Sequence, residues 1–496
     1  MDRKISPISI IILSILIASL TYMVHTESGL EREEYLSSDE TGAFLTSLNL
    51  NLDPMTLRAE GEEYHPFFGF IVQNILVRTI GTDYSALHLA VYGLFAFLCF
   101  LILTLSKLTT GRHIFGIFII MMLAFEKQFI LTFLLGFRLF YQTNIILTAI
   151  TTIFMLRFIR SRKIDDANGF MFSSLLNIST METGQLHLAL TTITICLVLG
   201  WGKSMKHLKK RLSDYLKEKK NEDKVSFVAS IMLFCLILVT ETILLASRTT
   251  MGGNLFGDSD PVDFTKILIL GMVLVFAMIF DRPKDQKAKN RYMISFITIS
   301  QLAIFWCVSL IFDFPGRVIL YLLPLYYISL VSLIIGILKK IMKRMDKRAF
   351  IIIAIVVMSL ITIDQIDTQD ISNAREKINK EREVMEDLQD IITENKEKDE
   401  YLVYSLGFSQ IASKGEFNLT TTKRTLKDDN IIFRDSFINA SVELYDHEEF
   451  RIIVQHHLLE RFRELIDEEI ECEKIRETSF HTMIDCKELQ HDESQG

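Results

Sequence analysis

The chain has 496 residues, of which 49% are hydrophobic, with 36 Phe and only 7 Pro; this is too apolar for a wholly soluble globular protein. The formal net charge of -8 hides an asymmetry. From Asp364 onward 33 acidic residues face 17 basic ones, so the preceding part is net basic and the acidic tail argues against a nucleic-acid partner.

Apolar runs with almost no charge, such as Ile8–Met23, Leu89–Leu105 and Ile351–Ile363, approach the roughly 20 residues that cross hydrocarbon as a helix. The hydropathy pattern predicts about eleven spans, at 7–24, 85–105, 113–134, 139–158, 168–181, 185–201, 225–246, 264–281, 293–312, 318–338 and 349–364. Arg3 and Lys4 precede the first run. No convincing small-residue cleavage site follows it, so it reads as an uncleaved anchor rather than a signal peptide. The basic loops (Lys107 and Arg112; Arg160, Arg162 and Lys163; 203–220; 282–291; 339–348) all fall on one side with Arg3 and Lys4, which the positive-inside rule makes cytoplasmic. The N-terminus is then cytoplasmic in a multi-pass plasma-membrane protein. An odd number of spans puts residues 365–496 outside.

That tail reads as a small soluble α/β unit, following a transmembrane domain of residues 1–364. A charged helix-periodic stretch, 372–395, precedes strand-like EYLVYSL and FRIIVQ, a helical LLERFRELIDEE, and strand-like ECEKIRET and FHTMIDC. Cys472 and Cys486 are the pair of cysteines outside the apolar runs, and an oxidising compartment would make them a candidate disulfide. The sequons at Asn418 and Asn439 are short motifs that chance also produces.

The first outer loop, 25–84, is long, polar and acidic, and holds Asp39-Glu40. Ser38 or Asp39 suits the cap of a helix running toward Leu50, and Asp39 equally suits a general base. After His65-Pro66 the run FFGFIVQNILVRTIG has helical spacing and a polar face, as an interfacial helix would. Outer-side cations are few: Arg58, His65, Arg78, Lys127, Arg138, Arg248 and Arg317. Glu126-Lys127 lies in an apolar stretch, where charge is costly unless it faces protein or water. An ion pair and a place beside the outer cavity are both open readings. His187, alone in a span, is more often a hydrogen-bonded core residue.

The order of these elements resembles the GT-C superfamily of integral-membrane glycosyltransferases, in the branch of the protein O-mannosyltransferases and lipid A aminoarabinose transferases. The resemblance covers roughly residues 1–340. It rests on the acidic pair after the first span, His65-Pro66 before an interfacial helix, GFRLFY at 136–141, His187-Leu-Ala-Leu, and Gly316-Arg317 ahead of LYLLPLYY. The chain departs from the family at Pro66-Phe67, where Pro-Pro is usual, and at Arg317, four residues before Tyr321. A WWDYG-type element is absent, so an oligosaccharyltransferase is not indicated.

The resemblance implies an α-helical GT-C-like membrane fold and transfer of a hexose or pentose from a polyprenyl-phosphate sugar to a glycan, lipid or protein acceptor on the outer face. Asp39 is then the base and Glu40 its partner, with His65, Lys127, Arg138, Tyr141 and Arg317 around the donor phosphate. A divalent cation, Mg or Mn, is left open, with Asp39 as its ligand if one binds. The rival reading is a multi-pass transporter or lipid flippase with charges lining a pathway. A second rival is a non-catalytic assembly factor.

Overall fold

The computed structural model describes residues 6–28, 71–72, 75–76, 79, 84–134, 139–161, 163–180, 183–199, 264–280, 286–309, 320–342, 346–365, parts of 372–391, 400–405, 408–413, 449–456, 459 and 470–488. Ten of the eleven expected spans coincide with helical segments, and 225–246 lies outside the described residues. The helices are α1 (Pro7–Glu27), α2 (Tyr84–Thr110), α3 (Ile114–Ala124), α4 (Lys127–Phe129, continued by a π-helical turn Ile130–Leu134), α5 (Leu139–Ser161) and α6 (Ile164–Ile178). They continue with α7 (Thr183–Leu199), α8 (Phe264–Phe280), α9 (Gln286–Ser309), α10 (Leu323–Ile341) and α11 (Lys347–Gln365).

The helices expose apolar side chains outward, as lipid favours, and pack an apolar core that also takes in buried polar side chains. On α1, Ser6 caps the start by accepting from the Ser9 amide at 3.1 Å, and Pro7 fits the first turn. Its inward face is Ile10, Ser14, Ala18, Thr21 and His25, while Ile8, Ile12, Ile15, Leu16 and Met23 are exposed. Water would penalise that outer face and hydrocarbon does not. α8 repeats the pattern with exposed Leu268, Met272, Val275 and Met278. Among the described residues four helices, Pro7–Glu27, His88–Thr110, Tyr141–Ser161 and Leu320–Ile341, are long and apolar enough to cross a membrane.

α10 is the hub, packing against α2, α3, α5, α8, α9 and α11. Small residues let backbones meet: a Cβ on Gly116 of α3 would come within 2.9 Å of the Leu103 side chain and 3.1 Å of its Cα on α2.

The ninth span starts earlier than hydropathy placed it, because polar residues there serve as caps. Asn290 Nδ2 donates to the Leu108 carbonyl at 3.0 Å and Arg291 Nη1 to the Thr109 carbonyl at 3.3 Å. They satisfy the end of α2, where a cation also suits the helix dipole. Gly336 of α10 leaves room for that guanidinium, whose Nε would lie 3.0 Å from a Cβ there. These contacts gather the end of α2, the start of α9 and the later turns of α10 at one pole of the bundle, with Lys107, Lys287, Lys339 and Lys340.

Beyond α11 the described residues form helix and sheet. Helical positions lie between 372 and 391. β1 (Glu400–Ser405), β2 (Phe408–Ser413), β3 (Glu449–Gln455), β4 (Ile470–Glu477) and β5 (His481–Glu488) form one sheet in the order β2-β1-β3-β5-β4. β1 and β3 are parallel and the other neighbours antiparallel. The strands expected from EYLVYSL, FRIIVQ, ECEKIRET and FHTMIDC are present; β2 is an addition to them. The predicted LLERFRELIDEE helix lies almost wholly outside the described residues.

Val384, Leu388 and Ile391 are buried at helical spacing, as are Ile452, Ile453, Val454, Met483 and Ile484 of the sheet. Asp387 lies on the same helical face and joins the two layers. Its carboxylate accepts from Thr478 Oγ1 (2.6 Å), from the amides of Ser479 and Phe480 (both 3.2 Å) and from His481 Nδ1 (2.8 Å). Burial alone would raise its pKa, but the hydrogen bonds from Thr478 and His481 outweigh it and hold the carboxyl below its ordinary value.

Asp387→Asn is expected to lower the stability of this unit by about 1–3 kcal/mol, read as faster amide exchange at Ser479 and Phe480 in the full chain. Because the folded pKa is depressed, this stabilisation is complete above the unfolded carboxylate value of about 3.9 and is lost as pH falls through the folded value. The protection of those amides, relative to their intrinsic exchange at each pH, should therefore fall with acid in the wild type, and the Asn variant should lack that component.

Candidate functional site

The pole opposite the basic caps gathers buried polar side chains. The third span is interrupted there. α3 stops at Ala124, Glu126 is extended (φ -80°, ψ 125°), and the chain re-enters a helix at Lys127. A break at membrane depth exposes carbonyls and needs partners from neighbouring helices. His25, near the end of α1, supplies one: its Nε2 lies 3.0 Å from the Ala124 carbonyl and its Nδ1 3.0 Å from the Tyr92 hydroxyl of α2. A carbonyl only accepts, so Nε2 carries a proton, and in the neutral ring Tyr92 donates to Nδ1.

Glu126 is the other fixed point. Its carboxylate is ion-paired with Lys266 from the first turn of α8 and accepts from the Tyr327 hydroxyl of α10. Its side chain is 10% exposed and that of Lys266 22%, so the pair is largely out of water and depends on its geometry. The sequence sets Glu126 beside Lys127 as a charge pair. The structure corrects this: the partner is Lys266, 140 residues away, because adjacent residues at a helix start diverge. Lys266 is missing from the outer-side cations picked out in the sequence. Its signal was a lone charge opening the apolar run TKILILG.

A second cluster runs through the bundle. Tyr321 Oη donates to Gln301 Oε1 (2.6 Å), and Gln301 Nε2 lies 3.0 Å from His187 Nδ1. His187 Nε2 faces Thr152 Oγ1 at 3.5 Å, and Asn177 Nδ2 donates to Thr148 Oγ1 at 3.1 Å. His187 and Tyr321 are fully enclosed, their rings edge-on at 6.3 Å. The amide of Gln301 thus ties α7, α9 and the turn before α10 together, the core-histidine reading of His187.

Of the expected site residues, the structure places Lys127, partly buried beside Glu126, and Tyr141, buried in the first turn of α5. Asp39, Glu40, His65, Arg138 and Arg317 lie outside the described residues. So do Arg58, Arg78 and Arg248. Helical positions at 71, 72, 75, 76 and 79 match the expected helix after Pro66. Among the described residues no three His, Cys, Asp or Glu side chains converge as a metal site. In the tail, Cys472 is disulfide-bonded, and the β4–β5 register sets it opposite Cys486.

No family model matches the chain, and no curated protein sequence matches it. Among solved structures, the crystal structure of ArnT from Cupriavidus metallidurans bound to undecaprenyl phosphate superposes with a TM-score of 0.54. The alignment covers 96% of this chain and 97% of that one at 11% identity. The fold is GT-C-like. The chain is a polytopic α-helical membrane protein with a small C-terminal α/β part, as its order of elements implied.

Tyr321→Phe, which removes the donor to Gln301, is expected to cost about 1–3 kcal/mol and to lower the thermal midpoint in detergent. Thr152→Val, which removes the longest contact of the cluster, should cost clearly less. Equal losses in the two variants would contradict this ranking of the two hydrogen bonds.

Proposed function

We propose that the protein is a membrane glycosyltransferase that moves a sugar from a polyprenyl-phosphate donor to a glycan, lipid or protein acceptor on the extracytoplasmic face. The observation that carries this reading is the likeness, over nearly the whole of both chains, to a structure holding undecaprenyl phosphate. The polar pole supports it. The end of α1, the break after α3 and the turn before α10 each contribute side chains or carbonyls to its buried polar clusters.

In this reading Asp39 takes the proton from an acceptor hydroxyl, whose oxygen attacks the anomeric carbon as the bond to phosphate oxygen breaks. Glu40 orients the base. The leaving polyprenyl phosphate carries the charge, which His65, Lys127, Arg138 and Arg317 stabilise while Tyr141 lines the donor side. The N-terminus is then cytoplasmic, and the tail from 365 onward lies in an oxidising compartment, consistent with a disulfide at Cys472.

Asp39→Asn should reduce transfer from a labelled polyprenyl-phosphate sugar in membranes by about 10²- to 10⁴-fold without changing protein abundance. Undiminished transfer removes Asp39 from the role, and no transfer by the wild type from any of several donors favours a flippase or transporter. For the topology, an impermeant maleimide added to intact cells should label Cys472 only after reduction; labelling confined to permeabilised cells would place the tail inside.

A further inference from the structure

The break at Phe125-Glu126 has a charge and a set of tethers that lipid-spanning alone does not require. An uninterrupted helix would cross more cheaply, and an apolar residue at 126 would avoid the ion pair. The chain instead buries a carboxylate at the interruption and fixes it from two other helices, with Lys266 on α8 and Tyr327 on α10. His25 on α1 holds the last carbonyl of α3 at Ala124. Four helices thus converge on two residues, and what leaves that point is Lys127, the first residue of the next helical piece. The Ile130 amide returns to the Glu126 carbonyl at 2.8 Å, so the geometry of Glu126 sets the direction in which the new turn starts.

We propose that Glu126 is a positioning residue: anchored to Lys266 and Tyr327, it holds the break in the third span and thereby fixes where Lys127 stands toward the phosphate of a lipid-linked donor. This rests on the glycosyltransferase reading, from which Lys127 takes its role, and adds to it a residue that touches no substrate. The ligand chemistry is a phosphate monoester or diester on a polyprenyl chain. Glu126 acts through backbone direction, and its own charge is spent on Lys266.

The test uses the full-length protein in nanodiscs, with undecaprenyl phosphate as the binding probe and a labelled polyprenyl-phosphate sugar for kinetics. Lys127→Met should weaken binding of the probe, and Glu126→Gln should weaken it in parallel, by about ten- to a hundredfold, raising KM for the donor more than it lowers kcat. A merely structural Glu126 would reduce the folded yield or thermal midpoint and leave the KM of the surviving enzyme unchanged, which overturns the proposal. Exchanging the pair, Glu126→Lys with Lys266→Glu, should restore binding relative to Glu126→Lys alone. Where Glu126→Gln proves too unstable to assay, Tyr327→Phe removes one tether only and should raise KM severalfold. Wild type that binds no polyprenyl phosphate overturns the functional reading itself. Wild type that binds while Lys127→Met is unaffected overturns the role of Lys127, and this inference with it.

Discussion

A carboxylate inside a membrane protein has to be answered by other groups, and Glu126 is answered by two helices at once. A hydrocarbon environment gives an isolated charge no screening, so the folded bundle must bring the start of α8 and the first turns of α10 to the break in the third span. α10 packs against six other helices, which makes its Tyr327 the point where a local electrostatic requirement becomes a constraint on the bundle. The same demand for partners places His25 on the Ala124 carbonyl. It also fills the basic pole with Asn290 and Arg291 on the carbonyls of α2. Side chains that would be liabilities in lipid hold the helices in register.

The span pattern was legible because lipid allows few solutions. Runs of about 20 apolar residues, with basic residues gathered on alternate loops, admit little besides a helical bundle, and the strands of the tail showed their alternation. What stayed hidden was partnership. Nothing in the neighbourhood of Glu126 points to Lys266, and an apolar run that opens on one lysine looks like a snorkelling end. The interruption of α3 was also unreadable, since no Gly or Pro marks it; tertiary tethers at Glu126 and Ala124 keep the chain extended there. Hydropathy began the ninth span too late because Asn290 and Arg291 are polar, yet they are buried as caps.

The site was legible in a different way. His187 was read as a core histidine, and the structure bears this out by giving it Gln301 and an edge-on Tyr321. The order of motifs pointed to a GT-C-like fold, which the superposition supports at 11% identity. Such a low figure means that few side chains are shared, so fold was recoverable while residue roles were not. Asp39, Glu40, His65, Arg138 and Arg317 therefore remain assignments of the proposed function, and Lys127 and Tyr141 are the two that the structure places.

The Asp387 carboxylate joins residues that lie 91 to 94 positions apart in the chain. The helix that carries it precedes β4 and β5 in the chain, and its carboxylate has no partners there until that hairpin forms. Contacts of such sequence separation bear a loop-closure cost before they return any stability. The helix of the tail therefore docks in its final place only once the β4–β5 hairpin, far along the chain from Asp387, has formed.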